Sequence, residues 1–151
     1  MLFRSEKSPF LKGSDLYFTS GGKLGVIKRS GKKQSFTGSD IGEKAVLSGT
    51  DLIYSVSGDI YGFSNIFVSR MENGKLSEPV QATFGTKIIT GLSAPPDGSY
   101  IVYSAITGDT NGDLLLDIKN NSVLYRIDKD GEYYSDPMQL TPDLSTNMTP
   151  G

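Results

Sequence analysis

Apolar residues along this chain fall in short runs separated by turns rich in Gly, Asn and Asp, and three of the runs repeat one pattern. They are Leu16-Tyr17-Phe18-Thr19-Ser20, Leu52-Ile53-Tyr54-Ser55-Val56 and Ile101-Val102-Tyr103-Ser104-Ala105. Runs this short, rich in β-branched and aromatic residues, read as strands rather than helices. Their recurrence marks a repeat architecture. Each unit lays out as four strands, a to d. The first has Pro9–Leu11, Asp15–Thr19, Leu24–Lys28 and Gln34–Thr37; the second has Lys44–Leu47, Leu52–Val56, Asn65–Arg70 and Pro79–Thr83. The third has Ile88–Ser93, Tyr100–Ala105, Val123–Asp128 and Met138–Thr141. The a–b turns (Gly13-Ser14-Asp15, Gly49-Thr50-Asp51, Asp97-Gly98-Ser99) and the c–d turns (Ser30-Gly31, Asn73-Gly74, Asp130-Gly131) recur in register. Their residue types supply the positive φ that tight hairpins need.

The b strands are apolar on consecutive residues, so both of their faces want burial. A sheet with one wet face would alternate instead. Continuous apolarity fits a sheet held between two others, as in a propeller blade. The expected fold is therefore all-β, a partial β-propeller of about three four-stranded antiparallel blades, with a β-sandwich as the alternative. Residues 1–40 form the first blade, 41–86 the second, 87–141 the third with an inserted loop, and 142–151 a link toward a further blade. Closed propellers have about four to eight blades. The remaining blades are expected from a longer polypeptide or from self-association.

The third unit resembles a known family. Ser93-Ala94-Pro95-Pro96-Asp97-Gly98-Ser99-Tyr100-Ile101-Val102-Tyr103-Ser104, then Ser122-Val123-Leu124-Tyr125-Arg126-Ile127-Asp128 and Met138-Gln139-Leu140-Thr141, is similar to a blade of the TolB-like, or WD40-like (PD40), propellers. Such repeats carry a Pro-Asp-Gly turn, an apolar strand ending in Ser, a Leu-Tyr-x-Ile-Asp strand and a terminal Leu-Thr. The first two units keep the shape but have Gly-Ser-Asp and Gly-Thr-Asp at the turn. The resemblance implies a fold and leaves function open.

Composition mostly excludes. A chain of 151 residues with 36% hydrophobic and 21% charged residues is globular and of ordinary domain size. The net charge of −2 goes with no long basic run, and Lys32-Lys33 reads as a hairpin turn, so nucleic acid is not an expected partner. There is no histidine and no cysteine, which removes Ser-His-Asp and Cys-His catalysis and His/Cys zinc sites from this chain. No apolar run is long enough to span a membrane, and Met1–Ser5 is too short and too soon polar for a signal peptide.

One segment carries candidate chemistry. Asp109, Asn111, Asp113 and Asp117 stand at positions 1, 3, 5 and 9 of a loop, and the backbone carbonyl of Leu115 at position 7 completes a set of oxygens that suits Ca2+. The spacing resembles the calcium loops of integrin-type propeller blades and the opening of an EF-hand loop. It departs at position 6, Leu114 where glycine is usual, and at position 12, Asn120 in place of a bidentate Glu. The plainer reading is a hairpin loop rich in Asx residues. Crowded aspartates favour the ion, and Leu114–Leu116 suggest a far side tucked against the blade. A site of this charge binds weakly, on the order of 10⁻⁴–10⁻³ M, and fills outside the cytosol.

The second unit has a long b–c loop, in which Asp59, Tyr61, Phe63 and Asn65 form a weaker candidate surface for a protein or glycan ligand. The plainer reading packs both aromatics against the neighbouring blade. Glu43, Asp51, Asp59 and Glu132 read as solvated turn carboxylates. The expected function is a non-catalytic, calcium-stabilised propeller segment, a scaffold or binding surface of an exported or cell-surface protein (extracytoplasmic). The alternative is the propeller of a larger hydrolase, prolyl-oligopeptidase-like or glycan-processing, with its catalytic residues outside this chain.

Overall fold

The computed structural model describes residues 7–12, 14–20, 23–31, 33–35, 41, 44–56, 64–72, 75–86, 88–108, 112–114 and 121–142. Among these residues there are strands and no helix. The first sheet is β1 (Lys7–Lys12), β2 (Asp15–Ser20), β3 (Lys23–Ile27) and β4 (Lys33–Ser35), antiparallel in chain order. The second is β5 (Ala45–Ser48), β6 (Asp51–Val56), β7 (Asn65–Glu72), β8 (Lys75–Leu76) and β9 (Val80–Gln81). The third is β10 (Ile88–Ser93), β11 (Tyr100–Ile106), β12 (Val123–Asp130), β13 (Tyr133–Tyr134) and β14 (Met138–Gln139).

Registers put equivalent residues opposite one another: Tyr54 faces Phe67 and Tyr103 faces Tyr125. Both aromatic pairs stack, at 6.2 Å and 5.4 Å between ring centroids. In the first sheet Phe18 faces Gly25 instead, and its ring lies so close that a Cβ there would collide with it.

The sheets stack face to face. Leu52, Tyr54 and Met71 of the second sheet share one buried cluster with Tyr17, Leu24 and Val26 of the first. Ile53, Ile66 and Val68 share another with Ile101, Tyr103 and Ile127 of the third. Neighbouring residues of β6 thus face opposite sheets, and Leu52 and Ile53 are 0% and 1% exposed. This is why the run is apolar without alternation.

The fourth strand differs from the single piece expected at Pro79–Thr83 and Met138–Thr141. In both sheets it is split. β8 and β9 pair with β7, and β13 and β14 pair with β12. At the break, Ser77 Oγ accepts the Arg70 N–H (2.8 Å) and Ser77 N–H donates to the Arg70 carbonyl (2.8 Å). Ser135 does the same with Asp128 at 2.9 Å and 2.8 Å. Pro79 and Pro137 follow, residues that cannot donate to a ladder. Past the break, Thr83 Oγ1 accepts the Ile66 N–H and Thr141 Oγ1 the Leu124 N–H, both at 2.9 Å. Ser77–Thr83 and Ser135–Thr141 are two copies of one device, Ser-acid-Pro-x-Gln-x-Thr.

Candidate functional site

The second and third sheets meet at their turn ends around a cleft of about 300 Å³. Positive φ at Gly49 (60°) and Gly98 (69°) closes the two facing turns tightly. A Cβ on Gly49 would stand 3.1 Å from the Pro96 carbonyl oxygen. The Ser48 hydroxyl donates to the Pro95 carbonyl across the junction. Asp97 Oδ1 accepts the Ser99 N–H (3.0 Å) and hydroxyl (2.8 Å), and these bonds hold its carboxyl below the usual range. The Lys129 N–H in turn donates to the Ser99 carbonyl at 2.9 Å.

This frame sets the charged groups of the cleft. Lys129 Nζ lies 3.4 Å from Asp51 Oδ2, joining the third sheet to the second. Arg70 and Glu72 face the cleft from β7, 3.8 Å apart, and Glu132 lines it from the turn before β13. Tyr134 completes the wall, its hydroxyl pushed up to about 12 by burial and then by the Asp51 charge, so it stays a protonated donor. Ser77 is not poised as a nucleophile, because its hydroxyl accepts from the Arg70 N–H and lies 3.3 Å from the Glu78 carbonyl, to which it donates. The arrangement suits reversible binding of a ligand that carries both signs of charge.

Asp51, read from the sequence as a solvated turn carboxylate, is 14% exposed and ion-paired across two sheets. Sequence reasoning missed this cleft because its walls stand 78 residues apart at the Asp51–Lys129 pair.

Of the proposed calcium ligands, Asp109, Asn111, Leu115 and Asp117 lie outside the described residues. Asp113 is exposed, between Gly112 (φ 77°) and Leu114 (φ 66°). Leu114 therefore adopts the left-handed conformation that glycine supplies at the same position of an EF-type loop. At 91% exposure it does not tuck against the sheet as expected. Among the described residues no three acidic groups converge.

Of the second candidate set, Asp59, Tyr61 and Phe63 lie outside the described residues. Asn65 is buried, and its Oδ1 accepts from the Thr83 hydroxyl (3.2 Å) and the Thr86 N–H (3.3 Å). It latches the turn after β9 to β7. On that turn Phe84 stands 77% exposed, an aromatic on the same loop face that the reading passed over.

No family model matches the chain, and no curated protein matches it. Among solved structures the chain is similar to Hsv2 of Kluyveromyces lactis, with a TM-score of 0.63 over 95% of this chain at 13% identity. Hsv2 is a β-propeller protein. The likeness is one of fold alone. This chain spans 41% of the length of that one.

Proposed function

We propose that the three sheets are consecutive blades of a β-propeller of the TolB-like or PD40 kind, serving as a non-catalytic scaffold and binding surface in an exported or cell-surface protein. The observation that carries the reading is the second sheet, apolar and buried on both faces between its neighbours. The absence of histidine and cysteine and the mutual pairing of Asp51 and Lys129 in the cleft support a role without catalysis. The protein or glycan partner engages the loop face bearing Phe84 or the cleft on the opposite end of the sheets.

Calcium braces the third blade in this proposal, held by Asp109, Asn111, Asp113, Asp117 and the Leu115 carbonyl. Positive φ at Gly112 and Leu114 supports it, because a loop that wraps an ion must turn sharply at its middle. Thermal unfolding with calcium and with chelator tests it. Calcium at ten times its Kd should add about 1.4 kcal/mol of stability by mass action. Asp113→Ala should lose that gain. Superimposable melts with and without calcium would remove the ion, and with it the argument for an extracytoplasmic location.

A further inference from the structure

We propose that the cleft between the second and third sheets is a socket for one lysine or arginine side chain of a polypeptide partner. Here the molecule departs from its own repeat. Met71 pairs with Leu76 in the second sheet, and Lys129 pairs with Tyr134 at the same places in the third. The backbone matches as well: the Met71 N–H donates to the Thr50 carbonyl, and the Lys129 N–H to the Ser99 carbonyl. Met71 is buried, and with Leu76 it packs into the cluster that joins the second sheet to the first. At the next junction an ammonium and a phenol stand at the positions of that apolar pair, and a cleft of about 300 Å³ opens there. Glu132 is a third departure, since the corresponding turn, Asn73-Gly74, has no acid.

The ion pairs depart from the repeat in the same place. Asp15 and Asp51 hold one position in their sheets, opposite Lys12 and Ser48. Asp15 bonds Lys28 of its own sheet at 3.0 Å. Asp51 faces Arg70 in the register but reaches Lys129 of the third sheet at 3.4 Å, which leaves Arg70 a loose contact with Glu72 at 3.8 Å.

Charge and size select the occupant. Three carboxylates, Asp51, Glu72 and Glu132, and two bases, Arg70 and Lys129, line the cleft. Each base has an acid partner, and Glu132 has none among the described residues, so the lining carries one net negative charge. No three acidic groups converge among those residues, which favours an extended organic cation over a metal ion. The volume stands at the lower end of the roughly 300–1,000 Å³ of ligand sites, room for a single side chain. Val68, Val80 and Tyr134 offer apolar surface to an aliphatic stem, and an aromatic ring attracts the cation at its end. Arg70, Lys129 and the Tyr134 hydroxyl are donors for the carbonyls that flank such a side chain in a polypeptide. A free amine brings no such acceptors. The two signs of charge in the cleft thus meet a cationic head and the partial negative charge of peptide oxygens.

The proposal rests on the reading of the chain as a binding surface, and backbone amide NMR of the 151-residue chain tests it. The probes are the capped tripeptides Ala-Arg-Ala, Ala-norleucine-Ala and Ala-Glu-Ala, with ethylguanidinium as the free cation. The arginine peptide should shift the amides of Arg70, Lys129 and Glu132, with a Kd on the order of 1 mM. That Kd should lie about threefold or more below that of ethylguanidinium and about tenfold below those of the other peptides. Glu132→Gln should weaken arginine-peptide binding about two- to fivefold, and Glu132→Lys about tenfold, with the rest of the spectrum unmoved because the turn is exposed. Equal affinity for the norleucine or glutamate peptide, or affinity indifferent to Glu132→Lys, would overturn the cation. Ethylguanidinium bound as tightly as the peptide would overturn the polypeptide source. No shift with the arginine peptide at about 10 mM would overturn the proposal and leave the blades standing. The peptide should be recovered intact, and its cleavage would contradict the non-catalytic reading instead.

Discussion

Leu114 stands in the left-handed region (φ 66°), at the sixth position of the 109–117 loop. An L side chain there costs about 1–2 kcal/mol relative to glycine, part of which glycine returns through the greater freedom of its unfolded chain. Leu114→Gly should therefore raise the unfolding free energy by roughly 0.5–1 kcal/mol, measured by urea denaturation. A destabilised variant would contradict the strain. The acidic spacing of this loop is legible in the sequence because it is a matter of residue type. The backbone of Leu114 is not, since leucine gives no local sign of positive φ. Asp51 fails for a different reason: a carboxylate in a turn looks solvated until its partner, Lys129, is brought in from a distant strand.

At the scale of elements, strand positions and turns follow directly from the apolar runs and the Gly-Asx punctuation. The split of the fourth strand does not, because it depends on Ser77 and Ser135 side chains replacing backbone partners. The Thr hydroxyls that close the device differ in burial: Thr83 is 1% exposed, while Thr141 is half-buried and its partner Leu124 is 39% exposed. Thr83→Val leaves the buried Ile66 N–H and Asn65 Oδ1 short of a partner and should cost about 1–3 kcal/mol. Thr141→Val should cost less than about 1 kcal/mol, because water replaces the lost bond. Equal losses in chemical denaturation would deny the devices their different surroundings.

Across the whole molecule, the stack couples stability to alkaline pH. Burial pushes both Tyr103 and Tyr134 up to about 12, from an ordinary value of 10.0. The folded state holds these protons more tightly than the unfolded chain, so this contribution is intact below pH 10.0 and is lost as pH rises toward about 12. Melting temperature should fall across that window, and tyrosinate absorbance should show a late-titrating phase that Tyr103→Phe and Tyr134→Phe each diminish. The stack itself was legible in the sequence through the consecutive apolar residues of β6, because no sheet with a wet face tolerates them. Which sheet covers which face was not, since the two clusters draw on residues from different repeats. The most direct test of that arrangement is a pair of adjacent substitutions, Leu52→Ala and Ile53→Ala, compared by equilibrium unfolding. Burial against the first sheet on one side and the third on the other predicts that each costs about 2–5 kcal/mol. If either costs less than about 1 kcal/mol, one face of the second sheet is open to water and the stacked account is wrong.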